Sequence, residues 1–261
     1  MKSLLKIFGV LFMLLFQLTG CLDKNDQQPV YYFYDEPVVV SNMGTHPTIR
    51  NETYPFYVPK LTENTVLREG DLLWASFTVD LEEQSPAIFN VQHYTAKNFQ
   101  YQAVGSSKVI IPADVAEFES YLSDDYSAPI ELAVLYRYQI DNLWFFGFKQ
   151  GDQSNQLSHT YELILNPEIE DDGNNYPTLY IRSKQINAEE AAGNAKSKDG
   201  TIFAFDVFNF ARHYITEKSA SNGRVRFNLK YKTGVDSAGK DIYKAFMSNP
   251  IQWNFNFENP E

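Results

Sequence analysis

Between residues 224 and 232 the chain alternates without a fault. Val225, Phe227, Leu229 and Tyr231 stand between Arg224, Arg226, Asn228, Lys230 and Lys232. Successive side chains of a strand point to opposite faces, so a period of two buries one face and wets the other. The pattern recurs at 252–258, where Trp253, Phe255 and Phe257 alternate with Gln252, Asn254, Asn256 and Glu258. It recurs again after the turn Glu69-Gly70-Asp71: Leu73, Ala75, Phe77 and Val79 point one way, and Leu72, Trp74, Ser76 and Thr78 the other. Long stretches at helical spacing are almost absent. The 17 tyrosines and 20 phenylalanines supply flat side chains that pack well on pleated surfaces. The fold class expected is all-β.

Turn signals divide the chain into two parts. Residues 36–125 hold short strands, expected at 37–40, 72–79, 88–94, 99–104 and 108–111. Asp114-Val-Ala-Glu117 then reads as a capping box that opens a short helix. Five strands and one small helix suit a small barrel. Residues 126–261 hold longer strands, at 130–139, 143–149 and 159–165, besides the two alternating ones. Residues 202–210 are apolar on both faces and read as a central strand. Seven or so antiparallel strands point to a β-sandwich. Asn187-Ala-Glu-Glu190 reads as the cap of a single helical turn in a long loop.

The N-terminus reads as an address. Lys2 and Lys6 precede an apolar run at 7–16, then small residues and a lone cysteine, the layout of a signal peptide over residues 1–20. Leu18-Thr19-Gly20-Cys21 resembles the bacterial lipobox, which implies cleavage before Cys21 and lipidation of its sulfur. Each buried CH₂ of an acyl chain contributes about 0.8 kcal/mol of membrane affinity. Palmitate-type chains on Cys21 would hold the protein at the outer membrane, on its periplasmic face or at the cell surface. Residues 21–35 then form the acylated cysteine and its tether, with Asp23 and Asp26 near the anchor.

Charge and cysteine content narrow the chemistry. Residues 1–20 carry two lysines and no acid, which leaves 20 basic and 33 acidic residues and a net charge of −13. Such a chain lacks the cations that displace counterions from phosphate, so nucleic acid is not an expected partner. With Cys21 the only cysteine, there is no internal disulfide, thiolate zinc site or cysteine nucleophile.

Several stretches resemble the NigD-like lipoproteins. Glu69-Gly-Asp71 followed by Leu-Leu-Trp-Ala-Ser-Phe-Thr-Val resembles that family's opening strand. Phe145-Phe-Gly-Phe-Lys149, His159-Thr-Tyr-Glu-Leu163, Phe203-Ala-Phe-Asp-Val207 and Arg226-Phe-Asn-Leu-Lys-Tyr-Lys232 resemble its later strands, in order. The resemblance implies an N-terminal OB-like barrel, a C-terminal immunoglobulin-like β-sandwich, and a cell-envelope lipoprotein with no assigned activity. The family's name comes from a bacteriocin operon, which hints at immunity or export. It brings no catalytic residues.

No motif in the chain assembles an active site. Lys232-Thr233-Gly234 matches one element of the penicillin-binding enzymes, but the required Ser-x-x-Lys occurs only as Ser3 to Lys6, inside the signal peptide. Lys232 reads more simply as the end of its strand and Thr233-Gly234 as the start of a turn. His46, His93, His159 and His213 share no metal-ligand spacing, and His159 reads as a partly exposed sheet residue. Glu168, Glu170, Asp171, Asp172, Asn174 and Asn175 crowd around Gly173. Oxygen-rich loops of this kind can wrap calcium, although the spacing is not that of an EF-hand, and a solvated hairpin loop accounts for the same residues. Tyr31-Tyr-Phe-Tyr34, Trp144 and Trp253 are candidates for stacking on sugar rings, with core packing the alternative. Asp236-Ser237-Ala238 resembles a bacterial O-glycosylation motif, and Asn51-Glu-Thr53 matches the N-glycosylation triplet. No cofactor is expected. The expected function is a non-enzymatic envelope lipoprotein that binds a protein or glycan, with an adhesin or pilus-like assembly subunit and a glycan-directed hydrolase as alternatives.

Overall fold

The computed structural model describes residues 30–61, 67–84, 91–123, 127–150, 158–170, 175–186, 196–197, 200–214, 217–218, 222–246 and 251–256. Cys21, the signal peptide and the helical turn expected at Asn187 lie outside these. The fold is all-β with two short helices among the described residues.

The first five strands close into a barrel. They are β1 (Val30–Asn42), β2 (Thr48–Arg50), β3 (Pro55–Tyr57), β4 (Leu72–Gln84) and β5 (Tyr94–Ala103), in the order β1-β2-β3-β5-β4. β3 and β5 run parallel and the other neighbours antiparallel, the OB-like arrangement that the resemblance implied. β4 places Leu73, Ala75, Phe77 and Val79 inside, as its alternation requires. Val38, Val40, Ile49, Phe56, Val58, Leu61 and Ala96 complete that core. Three features depart from expectation. β1 begins at Val30, inside the stretch read as a tether. The short strands β2 and β3 carry too few residues to show a period. The strand expected at 99–104 is β5 and begins earlier, at Tyr94; of the strand expected at 88–94, residues 91–93 precede β5 and residues 88–90 lie outside the described ones.

The remaining strands build a two-sheet sandwich. They are β6 (Gly105–Lys108), β7 (Ser127–Ala128), β8 (Ile130–Ile140), β9 (Leu143–Gln150), β10 (Ser158–Leu165), β11 (Thr178–Ile186), β12 (Lys196–Ser197), β13 (Gly200–Asp206), β14 (Glu217–Lys218), β15 (Asn222–Val235), β16 (Asp241–Ala245) and β17 (Ile251–Asn256). The larger sheet has the order β10-β11-β15-β14, with β16 and β17 also on β15 and β7 on β11. The smaller has the order β12-β13-β9-β8, with β6 on β13. The sandwich is not purely antiparallel as expected, because β11 runs parallel to β15 and β6 parallel to β13. The strand expected at 108–111 in the barrel part is found as β6 at Gly105–Lys108, and it pairs with β13 of the sandwich. Alternation in one strand reveals its buried face but carries no information about its neighbour's direction.

Helix α1 (Val115–Leu122) starts where the capping box placed it. Asp114 Oδ1 accepts from Glu117 N at 2.9 Å, and Glu117 Oε2 reaches back to Ala113 N at 2.6 Å. Helix α2 (Phe208–Tyr214) corrects the strand expected to run to Phe210. The strand stops at Asp206, whose Oδ1 accepts from Phe208 N at 3.0 Å, and α2 buries Phe210 and Ala211. An apolar run without alternation suits a buried strand and a buried helix equally.

β9 and β13 are apolar on both faces because each serves two cores. Trp144, Phe146, Phe148, Phe203 and Phe205 fill the sandwich. Phe145, Ile202 and Ala204 face the other way and meet Val39, Leu72 and Trp74 of the barrel. Val104 N donates to Leu72 O at 2.8 Å, and Arg50 pairs with Asp141 across the junction.

Candidate functional site

Charged side chains gather on the outer face of the larger sheet, beneath α1; of these, the sequence singles out Glu162, Glu170, Lys230 and Lys232. Leu163, Ile181, Leu229 and Tyr231 turn inward, so Glu162, Tyr180, Arg182, Lys230 and Lys232 share the opposite face. Register makes the pairs: Glu162 lies opposite Arg182, and Tyr180 opposite Lys230. Arg182 is only 5% exposed. It donates through Nε to Glu162 Oε2 at 2.7 Å and through Nη1 to the Tyr121 carbonyl of α1, and it lies 5.6 Å over the Tyr121 ring. Lys230 pairs with Glu170 and sits 5.7 Å over the Tyr180 ring. The Tyr180 hydroxyl donates to Glu170 Oε1 at 2.5 Å, and Lys232 Nζ lies 2.7 Å from Asp241 Oδ1. A cleft of about 560 Å³ opens between the end of α1 and the β15–β16 hairpin, lined by Glu119, Leu122, Lys232, Lys240, Asp241 and Tyr243.

These ionisations are set for holding, not for moving protons. Burial works against the Glu170 carboxylate, but its bonds from Lys230 and Tyr180 prevail and hold it below the usual range. Burial, then the Glu170 bond and charge, push the Tyr180 phenol far upward. Burial, then Asp241, push Tyr243 up to about 12. A general acid or base works best with a pKa near the operating pH, and these three groups lie far from neutrality.

One sequence reading changes here. The Lys232-Thr233-Gly234 stretch does not end its strand: β15 continues to Val235 through an irregularity opposite β16, and the turn follows at Asp236–Lys240. Of the oxygen-rich loop, Glu170 is engaged with Lys230, Tyr180 and Asn166. Asp171, Asp172 and Asn174 lie outside the described residues. Among the described residues, no three His, Cys, Asp or Glu side chains converge as a metal site.

A serine–histidine pair that no linear motif announced lies inside the sandwich. Ser183 Oγ is 3.0 Å from His159 Nδ1, and Gln150 Nε2 donates to Ser183 Oγ at 2.8 Å and to the Tyr161 hydroxyl at 3.1 Å. His159 is buried rather than partly exposed, at 5%, and Ser183 is fully buried. The group forms an internal polar network, as buried polar side chains require. Only strand register brings these residues together, so no sequence signal could have found them. The other histidines stand apart. His46 meets the Tyr57 ring edge, His93 Nδ1 lies 2.8 Å from the Val91 carbonyl, and His213 is exposed on α2.

The aromatic candidates separate cleanly. Trp144 is core, stacked 4.7 Å from Phe227 and tilted against a half-buried Trp253. Phe33 enters the barrel and stacks on Phe77 at 4.7 Å. Its neighbours do not. Tyr31, Tyr32 and Tyr34 are 52, 62 and 70% exposed, and the Tyr32 and Tyr34 rings are stacked, with centroids 6.0 Å apart and planes 5° from parallel. Ser237 is exposed at the hairpin tip, beside the Asp236 carboxylate that accepts from Ala238 N and Lys240 N. Asn51 Oδ1 is occupied by Thr53 N and Tyr54 N.

No protein-family model and no curated protein matches the chain. Solved structures do. They include an uncharacterized protein from Parabacteroides merdae ATCC 43184, at 15% identity and a TM-score of 0.49, over 86% of this chain and 99% of that one. A NigD-like immunity protein from Bacteroides caccae ATCC 43185 is also among them. It aligns at 11% identity and a TM-score of 0.45, over 85% of this chain and 98% of that one. A third, assigned as a lipoprotein, comes from Bacteroides fragilis NCTC 9343, at 13% identity and a TM-score of 0.41, over 89% and 100%. No described helix is long and apolar enough to cross a membrane.

Proposed function

We propose that this chain is a bacterial envelope lipoprotein, anchored through Cys21 at the outer membrane, that works by binding a glycan rather than by catalysis. The observation that carries the reading is the exposed, mutually stacked pair of Tyr32 and Tyr34 on β1. An exposed aromatic pair offers its outer ring surface to the C–H faces of sugar rings and its hydroxyls to their rim. The other polar groupings support it by being already spent: the carboxylates and cations beneath α1 hold one another, and Ser183 and His159 are enclosed.

The test is retention of the purified full chain on arrays of envelope glycans. Wild type should be retained selectively, and Tyr32→Ala with Tyr34→Ala should weaken retention about tenfold, as loss of aromatic contact predicts. Equal retention of the double variant would sink the reading, and so would release of cut sugar from the array. Anchoring has its own readout: Cys21→Ala should move the protein from the membrane fraction to the soluble one.

A further inference from the structure

β1 has two halves with different surroundings. Residues 39–42 pair with β2 on one side, whereas residues 30–38 pair with β4 alone. Among the described residues no strand covers the second edge of Val30–Tyr34. The half is set off by a bulge: the register with β4 shifts between Phe33 and Glu36, and Asp35 takes a φ of 54°. It is also uncharged and strongly apolar for an exposed strand, with Val30 42% exposed beside Tyr31, Tyr32 and Tyr34. Proteins normally blunt such an edge with charge, proline or a cover, because its free N–H and C=O groups template another strand.

We propose that the Val30–Tyr34 edge pairs antiparallel with the same edge of a second copy, about a two-fold axis at Tyr32. The sequence is self-complementary in that register. Tyr32 would face Tyr32 of the second copy, Tyr31 would face Phe33, and Val30 would face Tyr34. Aromatic–aromatic and aromatic–branched cross-strand pairs each add stability. An acidic partner would gain nothing from an uncharged edge, and a second copy satisfies an isologous interface by construction. Five residues a side make a small interface, and anchoring compensates. On the anchoring proposed above, residues 22–29 keep β1 within roughly 30 Å of one surface, which raises the effective concentration of one copy for another. Pairing uses the strand's edge and leaves its face open, so Tyr32 and Tyr34 of both copies would form one continuous platform.

The experiment is disulfide trapping of the full chain in cell membranes, with fractionation to report anchoring separately. Tyr32→Cys should give a linked dimer about tenfold more abundant than wild type or the exposed control Val235→Cys, because bridging needs Cα atoms within about 7 Å. In detergent, wild type should sediment as a dimer, and Tyr32→Lys, which opposes two cations at the axis, should raise the dissociation constant about tenfold. An unchanged thermal melt would show that this variant is folded. Equal trapping at Tyr32→Cys and Val235→Cys, a monomeric wild type, or a dimer indifferent to Tyr32→Lys would each overturn the proposal. A chain that traps at Tyr32→Cys from the soluble fraction would keep the pairing and refute only the anchor.

Discussion

Glu170 shows how far a residue's role lies from its letter. In the sequence it is one oxygen donor in an acidic loop; in the fold it holds Lys230 and Tyr180. Because its folded pKa is depressed below the ordinary value of 4.5, it stabilises the fold above that value, and the contribution is lost as pH falls through the folded pKa. Tyr243 has the opposite sign. Its folded pKa is raised from 10 to about 12, so its contribution is complete below pH 10 and fades as pH rises from 10 to 12. In melting temperature against pH, Glu170→Gln should flatten the acid limb and Tyr243→Phe the alkaline limb. Parallel profiles for wild type and variants would refute both assignments. The partners of Glu170 could not be read in advance, since Lys230 is reached only through the β11–β15 register.

Strands differ in how openly they declare themselves. β15, and β4 from Ala75 to Val79, are legible because each buries one face over several residues, so the period has room to repeat. β2 and β3 are three residues each, so neither could be read, and the bulge in β1 breaks its phase, so only its 37–40 part was legible. One hairpin depends on a single glycine. Gly200, where β12 turns into β13, has a φ of 106°, and a Cβ there would lie 2.0 Å from the Phe148 carbonyl oxygen of β9. Gly200→Ala should therefore cost about 3 kcal/mol or more, combining backbone strain with a clash against an immobile strand. Gly239→Ala offers the contrast: φ is 80° but the space is open, and strain alone should cost about 1 kcal/mol. Urea unfolding of the two variants gives both numbers, and equal losses would remove the clash from the account.

At the scale of the molecule, barrel and sandwich share a buried seam of Val39, Leu72, Trp74, Phe145, Ile202 and Ala204. Trp74 is 4% exposed and packs against the Tyr136 and Tyr138 rings of β8. Wild type should unfold in one calorimetric transition, with van't Hoff and calorimetric enthalpies equal. Trp74→Ala should cost about 3–5 kcal/mol and separate the barrel's transition from the sandwich's; a single sharp transition in that variant would mean the seam does not couple them. Composition and periodicity by themselves determined the all-β class and the faces of the long strands. The lone cysteine settled which thiol chemistries were closed, because side-chain alternation and residue counts are local properties. Only the tertiary structure decided the parallel pairings, the partner of each buried charge and the enclosure of Ser183 and His159. It also decided that Trp144 is core while Tyr32 and Tyr34 face solvent. Each of these turns on which distant strand lies alongside and what covers it, and a residue's own neighbours in the chain carry no record of that.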